Sequence, residues 1–154
     1  MPRYSGKITV DVKWNYTKFE KKWKDILASN RVKRRVGKLF AEMCEPYIPE
    51  DSGALINSVK VSSNGVTWKT PYAHYQYTGI VYGPNFPITD GDGNIVGWYS
   101  RRGVKKHPTG KHLQYTKPLA SDHWDKVMLN RDGHEFKIRV NRIIREELRR
   151  NGSK

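Results

Sequence analysis

Apolar residues at every second position open the chain. Ile8, Val10, Val12 and Trp14 alternate with polar neighbours over residues 7–14, the pattern of a strand with one buried face. The period then lengthens. Thr17-Lys18-Phe19-Glu20 matches a capping box, in which the Thr hydroxyl and the Glu carboxylate each satisfy an orphan backbone donor at a helix start. Phe19, Trp23, Ile26 and Leu27 form an apolar stripe at helical spacing, which resumes after Ser29-Asn30 at Val32, Val36, Leu39, Phe40 and Met43. One bent helix and two separate helices both fit, since the polar pair can cap a second helix or lie on an exposed face. Pro46 is predicted to end the run.

A turn-rich joint over residues 47–58 follows, with Pro49, Ser52, Gly53 and Leu55 as its structural positions. Asn64-Gly65 predicts a tight turn, with both residues at positive φ, joining Ser58-Val59-Lys60-Val61 to Val66-Thr67-Trp68-Lys69 as a hairpin. Pro71-Tyr72-Ala73-His74-Tyr75-Gln76-Tyr77 reads as a short helix with Pro at its first position and Gly79 closing it. From 83 to 111 the texture changes: Gly, Pro, Asp and Asn are dense, and Phe86-Pro87-Ile88 and Ile95-Val96-Gly97-Trp98 flank an Asp/Gly-rich centre. This is an extended hairpin or long loop inserted into the domain, and loops of such length are commonly functional. Residues 117–124 predict a short turn or helix continuing toward Val127 and Met128. Phe136, Val140, Ile143, Ile144 and Leu148 then predict an amphipathic helix over 133–150 with a basic outer face. The expected fold class is α+β in a single domain, 1–154. It combines a small antiparallel sheet, an N-terminal helical segment, a short middle helix, a C-terminal amphipathic helix and the 83–111 insertion.

Composition refines this picture. Apolar residues make up only 36% of the 154, yet the chain carries 5 Trp, 9 Tyr and 4 Phe, rings that a disordered chain would lack. A modest, aromatic-rich core is the expected outcome. No apolar run approaches the roughly 20 residues of a membrane span, and the first residues do not resemble a signal peptide, so a soluble protein not exported by a classical route is expected. The 1 Cys, Cys44, excludes an internal disulfide and any multi-cysteine zinc site, which fits synthesis in a reducing cytoplasm.

Charge narrows the partners without naming one. With 29 Lys+Arg against 15 Asp+Glu the net charge is +14, and such a field attracts phosphate backbones, anionic membranes and acidic protein surfaces alike. The bases cluster at Lys33, Arg34 and Arg35 with Lys38, at Arg101, Arg102, Lys105 and Lys106 with Lys111, and over 137–150. Each cluster reads either as a solvated face or as a surface for DNA or an acidic partner. Zinc-finger spacing, a phosphate-cradling glycine loop and the aromatic RNA-platform signature are all absent.

Catalytic chemistry finds no foothold. Asp90-x-Asp92-x-Asn94 imitates the start of a calcium loop, but Ile95 occupies the glycine position and Arg101 the bidentate acidic one, so a hairpin tip is expected instead. His74, His107, His112, His123 and His134 lack the helical pairing that marks metal ligands. Cys44 lies near a helix C-terminus beside Glu42 and Glu45, where a thiolate is disfavoured and a buried side chain expected. Glu50-Asp51 reads as a turn or helix cap rather than an acid–base pair. No catalytic residue, metal or cofactor is expected.

The segments 47–58 and 70–79, in that order, resemble the minor capsid, or head-tail joining and tail-completion, proteins of long-tailed bacteriophages. In that family an N-terminal helix leads to a proline, a Ser/Thr-Gly pair and a Leu-x-x-Ser step, matched here by Pro49, Ser52-Gly53 and Leu55-Ile56-Asn57-Ser58. A hairpin and a Pro-Tyr-Ala helix start follow, matched by Pro71-Tyr72-Ala73, and Lys117-Pro118-Leu119-Ala120 and the C-terminal helix occupy the family's last two places. The likeness spans roughly residues 17–150; the 83–111 insertion and the first strand depart from the minimal pattern. It implies a non-enzymatic structural subunit of the neck in the virion, assembled in the host cytoplasm as a hexameric or dodecameric ring. Its implied neighbours are portal, adaptor or stopper proteins and tail-terminator or tail-tube proteins, with non-specific contact to packaged DNA and no membrane. Tyr72, Tyr75, Tyr77, Tyr82, Phe86 and Trp98 are the candidate subunit interface, because aromatic rings bury area while tyrosine hydroxyls stay hydrogen-bonded. Packing against the hairpin is the alternative for the tyrosines. A basic nucleic-acid-binding protein or small nuclease is the alternative function.

Overall fold

The computed structural model describes residues 8–10 and 21–152, and of residues 21–24 the backbone alone. The flanks of the expected first strand, the capping box, Phe19 and the Trp23 side chain lie outside the described residues. What remains of that strand, β1 (Ile8–Val10), pairs antiparallel with β3 (Val66–Trp68), Ile8 opposite Trp68 and Val10 opposite Val66. On the other side of β3 lies β2 (Val59–Val61), in the order β1-β3-β2. The central strand is buried at all three positions, and its Thr67 hydroxyl meets that of Thr9 at 2.9 Å. A buried threonine is tolerated because this bond satisfies it.

The hairpin turn differs from the sequence expectation. Asn64 and Gly65 do not take positive φ. The strands end and begin where expected, at Val61 and Val66, but between them Ser62 N–H donates to Gly65 O at 2.9 Å, and the Ser62 hydroxyl accepts Asn64 N–H at 3.2 Å. A serine-based turn thus replaces the two-residue glycine turn.

Helices cover the sheet. The N-terminal stripe resolves into α1 (Lys21–Ala28) and α2 (Asn30–Cys44), broken at Ser29, whose ψ of 128° is extended. Ser29 caps through its backbone carbonyl, which accepts Lys33 N–H, and not through its hydroxyl. Pro46 lies inside a 3₁₀ turn, Glu45–Tyr47, that finishes α2 rather than ending it outright. Gly37 lets α2 approach the sheet: a Cβ there would fall 2.7 Å from Val61 Cγ1.

The joint after Tyr47 contains α3 (Ala54–Asn57), started at Gly53 with φ 75°, a left-handed conformation that suits glycine. α4 (Ala73–Thr78) begins two residues beyond Pro71 and ends at Gly79, φ 69°. α5 (Trp124–Gly152) is longer than expected, starting nine residues before Gly133. The reason is a stripe at four-residue spacing, Trp124, Met128, Phe136, Val140 and Ile144, whose one polar position, Asp132, is held by Tyr47, and which runs straight past Gly133.

Two packed clusters result. One joins Phe40, Cys44, Ile48, Val66, Trp68, Trp124 and Met128, with Trp68 and Trp124 edge to face at 5.5 Å. The other packs Ile26, Leu27, Val32 and Val36 against Val140 and Ile144, so α2 and α5 lie antiparallel. Glu147 and Glu146 at the end of α5 close that seam onto Arg31 and Arg35 near the start of α2, and Tyr47 O–H donates to Asp132 Oδ2 at 2.6 Å at its other end.

Candidate interaction arm and adjoining cleft

Residues 80–112 leave this packed body as a two-level antiparallel arm. Its base pairs β4 (Ile80–Gly83) with β7 (His107–His112), and its tip pairs β5 (Phe86–Thr89) with β6 (Ile95–Tyr99). Gly79 launches it: a positive φ is required where α4 turns into β4, and a Cβ would fall 2.8 Å from Asp122 Cβ. The returning chain is tied at the same residue, Leu113 N–H donating to Gly79 O at 2.8 Å. Between the levels, Asn85 donates through Nδ2 to Tyr82 O at 2.8 Å, and its Oδ1 accepts from Lys106 Nζ at 2.7 Å.

The Asp90 motif is the tip's turn. Its carboxylate accepts the N–H groups of Asp92 and Asn94 at 3.0 and 2.8 Å, and these bonds, Asn94's first, hold its pKa below the usual carboxylate value. Those oxygens serve backbone donors, the use that Asp has in turns.

Neither face of the tip is polar. Phe86, opposite Tyr99, and Ile88, opposite Gly97, share one face, with Arg101 stacked over the Phe86 ring at 4.2 Å. Trp98, opposite Pro87, lies on the other with Val96, and these two are 61% and 65% exposed. Of ten exposed large apolar side chains among the described residues, six lie on the arm: Ile88, Ile95, Val96, Trp98, Tyr99 and Val104. Solvated hairpins normally turn polar residues outward on at least one face, and a lone two-stranded hairpin is marginal in water.

The candidate aromatics divide. Tyr75 and Tyr82 meet edge to face at 4.9 Å at the arm's base, and Phe86 and Trp98 stand on the tip. Tyr77 turns inward, its ring against Trp124 and His123 and its hydroxyl donating to Asp125 at 2.9 Å, so it belongs to the core. His123 holds a φ of 43° there, its N–H donating to Tyr77 O. Tyr72, 39% exposed, lines a separate cleft of about 420 Å³ with Glu50, Asp51, Gln76 and Tyr115. Glu50 does not cap a helix; it pairs with Lys117 Nζ at 3.3 Å, while Asp51 is exposed.

The basic residues divide as well. Arg35 is held by Glu146 and Glu147, Lys33 is half-buried and Arg34 faces solvent. Arg102, Lys105 and Lys106 are exposed between the arm's two levels. Cys44 is fully buried, and burial pushes its thiol up. Burial also lowers the His74 pKa, whereas His107, His112 and His134 are exposed. No group of three or more His, Cys, Asp or Glu that could hold a metal occurs among the described residues, and no described helix is long and apolar enough to cross a membrane.

The exposed Tyr99 and the acidic cleft are what sequence reasoning missed. Tyr99 had a signal, since apolar residues run through both faces of 95–99 instead of alternating. The cleft had none, because Gln114, Tyr115 and Thr116 reach Glu50 and Asp51 only through folding. No protein-family model, curated protein or solved structure matches this chain.

Proposed function

We propose that this protein is a structural, non-enzymatic subunit of the head-tail connector of a long-tailed bacteriophage. It is a minor capsid or tail-completion protein that forms a homo-oligomeric ring at the virion neck after synthesis in the host cytoplasm. One observation carries the reading: a small packed body that projects an arm with two apolar faces, a device suited to holding neighbours and of no evident use to a lone chain. The order of the proline, Ser-Gly, hairpin, Pro-Tyr-Ala and C-terminal helix segments supports the same assignment. Ring neighbours above and below, and packaged DNA in the channel, fit the +14 charge.

Quantitative mass spectrometry of purified particles tests it, comparing copies of this chain with those of the portal ring. A ring-like count well below that of the major capsid protein is expected; absence from finished particles overturns the reading. Exposed Arg101, Arg102, Lys105, Lys106 and Lys111 favour a second reading, nucleic-acid binding. That reading requires duplex affinity falling log-linearly with salt.

A further inference from the structure

We infer that the arm of one copy seats in the Glu50/Asp51/Tyr72 cleft of another copy, making a head-to-tail contact. The inference deepens the ring reading and rests on it, since it names the two surfaces that such a ring would join.

Charge complementarity selects the occupant. On a chain of net +14, residues 39–59 carry four acids, Glu42, Glu45, Glu50 and Asp51, and no Lys or Arg. All four are exposed, and the last two line the cleft, where Lys117 pairs with Glu50 and Asp51 supplies the remaining negative charge. The arm, residues 80–112, carries five bases, Arg101, Arg102, Lys105, Lys106 and Lys111, against two acids, Asp90 and Asp92 at its turn, so its basic character lies behind the turn, on the return leg. The most basic projection and the acidic cleft thus belong to one chain at different places, which is the condition for a heterologous, repeating contact. Matching potentials of this kind steer encounter and fix register, while apolar anchors such as Trp98 and Tyr99 supply the affinity.

Shape agrees. A cleft of about 420 Å³ admits a bulky side chain such as Trp98 from the tip, with the rest of the hairpin lying across its rim. Tyr72 presents an exposed ring at the cleft for an aromatic from the tip. The arm cannot satisfy itself in its own cleft as folded here: β5 and β6 make their extended contacts with each other, and their apolar side chains stay exposed.

Complementation between two broken copies tests this. The arm variant is Val96→Asp with Trp98→Asp; the cleft variant is Asp51→Arg with Tyr72→Ala. All four positions are exposed, and thermal unfolding of each variant checks that the body is intact; should the arm variant misfold, Arg101→Glu with Arg102→Glu replaces it. By native mass spectrometry and sedimentation velocity, the wild-type chain is expected to form species larger than a monomer. Each variant alone should stay monomeric. An equimolar mixture should give a 1:1 dimer at least tenfold above either variant alone and nothing larger, because one intact arm meets one intact cleft. A mixture without dimer, beside an assembling wild type, overturns the inference in favour of another interface, arm on arm included. A wild type that stays monomeric overturns it too, and if its arm variant also loses duplex DNA binding, nucleic acid is the occupant. Particle copy number is independent of all these outcomes, so a failed contact and a failed neck assignment remain distinguishable.

Discussion

Gly79 is the residue on which the arm's departure depends. Its φ of 69° and the 2.8 Å approach of a would-be Cβ to Asp122 mean that even alanine meets both a backbone penalty and a clash. Left-handed backbone costs about 1–2 kcal/mol outside glycine, and overpacking typically adds about 1–3 kcal/mol. Gly79→Ala is therefore expected to destabilise the protein by at least about 2 kcal/mol, measured by urea unfolding. Glu147 sets the acid response. It is buried, and hydrogen bonds from Arg31 first and then Arg35 hold its pKa below the ordinary 4.5. A depressed carboxyl contributes stability that is present above pH 4.5 and is lost as pH falls through its lower folded value. Glu147→Gln should cost about 1 kcal/mol at neutral pH, below the range for fully buried charged hydrogen bonds because Arg31 is half exposed, and should flatten the stability loss below pH 4.5. Equal acid sensitivity in variant and wild type would count against this role.

Among the elements, α5 is the long spine on which both core clusters rest, and it tolerates a glycine midway. A Cβ at Gly133 would touch nothing within 4 Å, and its φ is not left-handed. Gly133→Ala should accordingly stabilise by about 0.5–1 kcal/mol through helix propensity alone, read as a rise in the thermal midpoint. That glycine also explains why the helix start was misplaced from sequence. Glycine commonly marks a helix end, and only the burial of Trp124 and Met128 against the sheet carries α5 across it. The broken α1–α2 pair presents the reverse case. Its apolar stripe was legible, whereas the single-residue break at Ser29 depends on how two helices settle over α5.

For the whole molecule, body and arm tip are separable. Removing residues 86–104 leaves Pro84-Asn85-Lys105-Lys106 between the paired Gly83 and His107, a four-residue connection of a common hairpin length. The trimmed chain should keep one cooperative unfolding transition near the wild-type midpoint, since every side chain of both core clusters lies outside the deletion. It should also lose self-association in sedimentation. Loss of cooperativity would mean that the tip supports the body.

Residues close in sequence determined much of this protein by themselves. Period-two spacing marked β1, period-3.6 spacing marked α1, α2 and the later part of α5, Gly53 and Gly79 marked joints, and the Gly/Pro/Asp-rich stretch marked most of the arm, because each records a local backbone preference. Net charge likewise needs no fold. Tertiary structure alone decided which tyrosine points inward, which arginine is neutralised and what lies beside Glu50 and Asp51. Tyr77 and Asp125, Arg35 and Glu147, and Asp51 and Tyr115 are each far apart in sequence. The free energy that joins such residues comes from burial and electrostatics between segments, and no local pattern encodes it.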